Sequence, residues 1–226
     1  MFKNKWLIIG TIATVILIIG GVFLMSKGNT GLPSTTSTPV SSSILVPKNA
    51  NETGGVKNGN YLPATSSAKV TLVEFGDYEC PACGEYNPII KQLLADFSGK
   101  INFVFRNFPL TQHANAFISS QAAEAAGLQG KFWQMHDKLY ESVNDWSASS
   151  DAKSIFIGYA QALGLDVNKF KTDIDSSAVK NKIQNDTNNG NLINLSETPT
   201  FYLNGVKIGS LTGNYADFKK IISGQL

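Results

Sequence analysis

The only two cysteines stand three residues apart, in Cys80-Pro81-Ala82-Cys83, directly behind a strand-like apolar run. The residues after them have helical spacing: Ile89, Ile90, Leu93, Leu94 and Phe97 recur on one face, and Gly99 supplies a C-terminal stop. Pro81 suits the first helical turn, where it has no N–H to lose and its φ is already helical. This register puts Cys80 at the N-cap and Cys83 at the third helical position, whose side chains face each other. A fold that accepts the pair must deliver a strand end onto a helix start, with both sulfurs at the junction.

That place governs the sulfur chemistry. Unpaired N–H groups and the positive end of the helix dipole favour an anion at the N-cap. A thiol whose pKa falls from about 8.5 towards 3.5–7.5 becomes a redox nucleophile or a good leaving group. Cys83, one turn inside, is expected to be the covered, resolving thiol. Two inert readings compete. A structural zinc site needs about four N/S ligands, yet the chain has neither a second Cys-x-x-Cys nor a His pair at ligand spacing, so no metal is expected. A structural staple gains little from closing so short a loop. The pair is therefore read as redox-active, with no cofactor beyond the two cysteines.

The attachments come first in the chain. Residues 1–5 form a basic end with Lys3 and Lys5, and Trp6 to Met25 is uncharged and apolar over about the 20 residues that cross a bilayer. The positive-inside tendency keeps the basic end in the cytoplasm, so the expected location is the cell membrane, single-pass, with the domain extracytoplasmic. A cleaved signal peptide is the competing reading. It fits less well, because the apolar run is long and Phe23-Leu24-Met25-Ser26-Lys27 offers no small-residue cleavage site. Residues 26–67 are rich in Ser, Thr, Gly, Asn and Pro and are predicted to be a flexible linker, although Ile44-Leu45-Val46-Pro47 and Tyr61-Leu62-Pro63 could dock locally. Residues 1–66 carry a net charge of +4 and the rest −2. The basic balance thus belongs to the attachment, and no nucleic-acid partner is expected.

The domain is predicted over 68–226. Lys69–Phe75, the cysteine helix and Ile101–Arg106 read as a parallel βαβ unit. Residues of about 113–188 turn helical: Ala114–Leu128, Lys131–Val143, Ile155–Leu163 and a segment capped by Asp166. Pro199–Leu203, the turn Asn204-Gly205 and Val206–Ile208 make a hairpin, and Asn214–Ser223 a closing helix.

Cys80-Pro81-Ala82-Cys83 after a strand, with Thr198-Pro199-Thr200-Phe201 opening the late hairpin, resembles the thioredoxin fold. The helical insertion is similar to that of the DsbA-like thiol–disulfide oxidoreductases, with further matches at Phe105-Arg106-Asn107-Phe108-Pro109-Leu110, His113 and Gly130-Lys131-Phe132-Trp133-x-Met135-His136-Asp137. The expected class is therefore α/β, a thioredoxin-like fold with an inserted helical subdomain, preceded by one transmembrane helix and the tether.

The resemblance implies Cys80 as nucleophile, Cys83 as buried partner, and Pro199 as a cis-proline lying against the pair. It makes Glu74 a buried acid that relays a proton to Cys83; an edge-facing or salt-bridged Glu74 is the alternative. Thr198, Pro81 and Ala82 become the substrate-binding positions, with the Thr198 backbone open to strand addition. Asp77 and Glu79, if exposed, would raise the nucleophile's pKa, while His113 and His136 read as packed helix residues. The implied activity is a protein disulfide oxidase acting on exported clients with free thiols and reoxidised by a membrane quinone-linked thiol oxidase. A reductase or isomerase, or a binding module with a static disulfide, are the alternatives.

Overall fold

The computed structural model describes residues 39–209 and 211–226. Its first stretch falls within the span predicted as a flexible linker, and it is ordered instead. Helix α1 (Ser42–Leu45) leads to strand β1 (Asn51–Thr53) and to a small hairpin of β2 (Val56–Lys57) and β3 (Asn60–Tyr61). Composition misleads here because the stabilisation is tertiary. Polar β1 lies antiparallel along the main sheet, Asn51 opposite Phe105 and Thr53 opposite Phe103, so its backbone groups are paired without much carbon being buried. Leu45 is buried, and Tyr61 stacks on Trp133 at 5.2 Å while its hydroxyl donates to Asp137. The predicted span 6–25 lies outside the described residues. Among the described residues no helix is long and apolar enough to cross a membrane.

The expected βαβ unit comes next in the chain: β4 (Val70–Gly76), α2 (Pro81–Asp96) and β5 (Ile101–Asn107), with Val70 opposite Ile101 and Gly76 opposite Asn107 in parallel register. β4 is buried on both faces through Val70, Leu72, Val73 and Phe75, as suits a central strand covered by helices. The insertion comprises α3 (Ala116–Gly127), α4 (Phe132–Glu141), α5 (Val143–Trp146), α6 (Ala152–Ala162), α7 (Val167–Asp173) and α8 (Ser177–Leu192). Asp166 caps α7 as predicted, accepting from the amides of Asn168 and Lys169. The helix it starts is short, because a second cap at Ser176, accepting from the Val179 amide, begins α8.

Strands β6 (Thr200–Leu203) and β7 (Val206–Lys207) and helix α9 (Tyr215–Ser223) close the chain. Asn204 and Gly205 both take positive φ, 48° and 89°, as the two-residue hairpin turn requires. The sheet order is β1-β5-β4-β6-β7, which leaves the C-terminal end of β4 central and the cysteine helix starting beside it.

One buried ionic network ties β5 to the insertion. Arg106 donates to Asp186 at 2.7 Å, Lys182 bridges Asp186 at 3.0 Å and Glu124 at 3.5 Å, and Asn51 and Asn107 both donate to Glu124. Arg106 also lies over the Phe75 ring and donates to the Leu45 carbonyl, which fixes α1 to the sheet.

Candidate active site

The register predicted for the cysteine helix is observed. Cys80 is the N-cap of α2 with extended φ/ψ (−72°, 121°), Pro81 is the first helical residue, and Cys83 lies one turn in. Both cysteines are free thiols and buried, Cys80 9% exposed and Cys83 fully covered.

Their environments separate them. Cys80 is lowered to about 5: the Cys83 thiol donates to it, burial opposes, and the Thr198 hydroxyl and the amides of Cys83 and Ala82 add to the lowering. Those amides are the unpaired donors of the first helical turn. Cys83 goes the other way. Burial pushes it well above the ordinary thiol range, its donation to Cys80 and the charge of Glu74 push it further, and the Asp77 amide, 3.5 Å from its sulfur, opposes only in part.

Pro199 follows a cis peptide bond with Thr198, and the Thr198 carbonyl accepts from the Cys80 thiol at 3.4 Å. The Thr198 side-chain hydroxyl is buried and has no partner while Cys80 is a thiol, so it is a donor held ready for a thiolate. Glu74 is 3% exposed, between Phe105 on β5 and Phe201 on β6, so the edge-facing alternative does not apply. Burial raises its carboxyl to about 8, and the charge on Cys80 adds to the rise. A side chain at Gly76 would meet both the Phe105 ring and the Glu74 carboxylate, so this glycine is what lets the acid sit there.

Three features differ from the sequence reading. Asp77 is fully buried, not exposed: its carboxylate accepts from the Leu110 amide at 2.9 Å, the Glu79 amide at 2.8 Å and His113 Nδ1 at 2.7 Å. His113 thereby leaves the helical insertion to join the site. Burial alone would lower its pKa, but the Asp77 hydrogen bond and charge, with Cys80 and Glu79, raise it overall. Tyr140 is a third site residue, one that nothing in the sequence singles out. Its hydroxyl is buried without a partner, and burial and then the charges of Cys83 and Glu74 raise its pKa. Spacing offers no signal for Tyr140, whereas His113 stands within a recognised motif whose contact cannot be read locally. His136 is a packed residue as expected, neutral and enclosed by aromatics, with Nδ1 3.1 Å from the Tyr78 hydroxyl.

A groove of about 570 Å³ opens beside Cys80, lined among others by Glu79, Pro81, Glu85, Tyr140 and Asn144. Of the three positions expected to meet substrate, Pro81 is exposed at this groove and Thr198 lies against Cys80. Ala82 instead packs its methyl on the core and contributes its amide. Among the described residues no group of three or more His, Cys, Asp or Glu side chains is placed to hold a metal.

Fold and site together define a thioredoxin-like protein with a dithiol at a helix N-terminus and a helical insertion. The Thioredoxin family model matches residues 64–223, and the chain belongs to that family. Among solved structures, BdbD of Bacillus subtilis in its oxidised form is similar with a TM-score of 0.65 at 23% identity, covering 84% of this chain and 96% of that one. The thiol-disulfide exchange protein alpha-DsbA2 of Wolbachia pipientis superposes with a TM-score of 0.64 at 19% identity, covering 81% and 90%. The fold is thus thioredoxin-like, with DsbA-like proteins among its structural neighbours. A curated relative, Na(+)/H(+) antiporter NhaA 1 of Salinispora arenicola, is 40% identical over 147 residues. These are 65% of this chain and 22% of the relative, so this chain spans about a fifth of the longer protein and matches it only through the thioredoxin-like domain.

Proposed function

We propose that the chain is a membrane-anchored, extracytoplasmic protein disulfide oxidase that passes the Cys80–Cys83 disulfide to exported proteins. The observation that carries this reading is the opposed placement of the two sulfurs: Cys80 at the N-cap of α2, facing the first-turn amides, is drawn down to about 5, and Cys83, fully buried one turn in, is pushed well up. A stabilised Cys80 thiolate favours the reduced enzyme, so the oxidised enzyme is a strong acceptor of electrons.

A client thiolate attacks Cys80 Sγ, the Cys80–Cys83 bond breaks, and Cys83 leaves with the bonding pair. Glu74, protonated at neutral pH because its pKa is about 8, is the acid that supplies Cys83 with a proton. A second client thiolate then attacks the client sulfur of the mixed disulfide, and Cys80 leaves as a stable thiolate. One client disulfide is made, and two electrons reside on the dithiol. A membrane quinone-linked thiol oxidase would remove them, which an anchor through residues 6–25 would favour by confining both to one plane. Substrate binding is assigned to Pro81, the Thr198 backbone and the groove beside Cys80; no nucleic acid is involved.

The test is the equilibrium of the full chain with glutathione. A potential of about −120 to −180 mV supports the oxidase, and one near or below about −270 mV makes the protein a reductant and overturns that direction. Cys83→Ser is expected to trap mixed disulfides with client proteins. Trapping none would leave the pair a static staple.

A further inference from the structure

Neither residue between the cysteines, Pro81 or Ala82, carries charge, and the acidic side chains nearest in sequence to Cys80 are Asp77 and Glu79. Both are drawn into the site. Asp77 is fully buried; its carbonyl accepts from the Cys80 amide at 3.2 Å, and its own amide reaches Cys83 Sγ at 3.5 Å. Its carboxylate accepts from the amide of Glu79, the residue before Cys80, at 2.8 Å, and a negative charge at that place works against the helix dipole that favours a Cys80 thiolate. The structure sets one side chain against it: His113, from the connection between β5 and α3, with Nδ1 2.7 Å from the Asp77 carboxylate.

That connection is stitched onto the strand-to-helix junction at four points. The Phe108 amide donates to the Gly76 carbonyl, the Leu110 amide and His113 to the Asp77 carboxylate, and the Asn115 amide to the Glu79 carboxylate at 2.6 Å. So much hydrogen bonding across more than 30 residues of sequence holds His113 in a fixed relation to the two thiols.

We propose that His113 is a positioning residue for the redox reaction: as an imidazolium it cancels the charge of Asp77 beside Cys80 and so stabilises the Cys80 thiolate and the reduced enzyme. The inference rests on the redox reading of the pair. The titratable groups facing His113 are Asp77, Glu79 and Cys80. The raised pKa of His113 keeps it charged to higher pH than a free histidine, and Cys80 is one of the groups that raise it. Coupling between two sites is reciprocal, so an imidazolium that the thiolate favours must favour the thiolate equally.

Reciprocity makes the test direct. His113 and His136 are the only histidines, and His136 is buried and neutral, so the titrating imidazole in a proton or nitrogen NMR spectrum of the full chain is His113. Its pKa is expected to be about one unit higher in the dithiol than in the disulfide form, a tenfold coupling. Equal values in the two forms overturn the proposal. His113→Gln keeps a hydrogen bond to Asp77 and removes the charge. It is expected to raise the Cys80 thiolate pKa, followed by absorbance or alkylation rate, and to lower the potential by about 30 mV, the equivalent of tenfold.

That difference should fade as pH rises through the His113 titration, because the wild-type imidazole then also loses its charge. His113→Lys, which restores a cation, is expected to recover most of the shift. A folded His113→Gln protein with wild-type thiolate pKa and potential overturns the proposal; if that variant does not fold, the wild-type comparison still decides it. Should the wild-type pair fail to exchange with glutathione, the functional reading falls instead, and the alkylation pKa of Cys80 in the two proteins still tests the role of His113.

Discussion

Behind the sheet, Arg106 and Lys182 face Asp186 and Glu124; at the end of the same sheet, Glu74 and Asp77 meet two thiols and one partly exposed histidine. Both clusters bury ionisable groups, but they bury them differently. In the first, two cations meet two carboxylates, and Asn51 and Asn107 supply further donors. Even there, burial outweighs Lys182 and leaves the pKa of Glu124 raised, and Arg106 Nη2 and Asn107 Oδ1 lack partners. In the second, only Asp77 and His113 pair, and the remaining groups are driven apart in pKa: Glu74 is pushed up to about 8, Cys83 is pushed up, and Cys80 is pulled down to about 5. A closed set of ion pairs fixes geometry. A set whose members have been driven apart in pKa can move protons and electrons. Burial of charge alone does not separate structure from chemistry; the manner of compensation does.

The comparison can be broken first in the ionic network. Asp186→Ala leaves Arg106 and Lys182 buried without their shared carboxylate and is expected to destabilise the fold by about 3–5 kcal/mol in urea titration. The Cys80 thiolate pKa of the folded protein should not move; if it moves, the two clusters are coupled and the contrast fails.

The next effect belongs to Cys80, whose folded pKa lies below its unfolded value. Its contribution to the stability of the reduced form is complete above the unfolded thiol pKa and is lost as pH falls through about 5. Thermal unfolding of reduced and oxidised protein should show the reduced form losing about 2–3 kcal/mol relative to the oxidised form between about pH 8 and pH 5, after allowance for solvent screening. A gap that does not change with pH would remove the case for a stabilised thiolate.

Glu74→Gln sharpens the contrast from the other side. The raised pKa of Glu74 means that the wild type loses stability as pH rises from about 4.5 to about 8, where the unfolded carboxyl ionises and the buried one does not. The variant should match the wild type at pH 4 and be more stable by about 2 kcal/mol near pH 8, while release of Cys83 slows by a factor on the order of 100. Unchanged exchange with no pH-dependent gain in stability would make Glu74 a packing residue only. The smallest effect is set by Lys153 and Asp175, an exposed pair: Lys153→Ala is expected to change stability by less than about 0.5 kcal/mol and to leave thiol exchange unaltered.

Much of this is legible in the chain itself. Cys80, Pro81 and Cys83 fall at the helical positions their spacing requires, because capping and proline geometry are local. Asn204-Gly205 makes the turn it signals, and Asp166 caps the helix it precedes. The parallel pair β4 and β5 comes from two apolar runs with one helix between them. Glu74 stands out as the single carboxylate in a buried strand.

Other features require the fold. The polar residues 51–53 form a strand only because the edge of β5 offers them backbone partners, and Leu45 is buried only because Val73, Phe75 and Tyr202 make a pocket for it. Composition averages such a segment into a linker. Asp77 becomes an interior residue, and His113 its partner, through contacts across 36 positions that no local spacing encodes. Tyr140 reaches the thiols from the helical insertion in the same way. The sequence by itself determined which atoms can carry the redox chemistry, since that depends on residue type and on the start of one helix. Only the tertiary structure decided their protonation, because a pKa is set by burial and by charges brought together from distant parts of the chain.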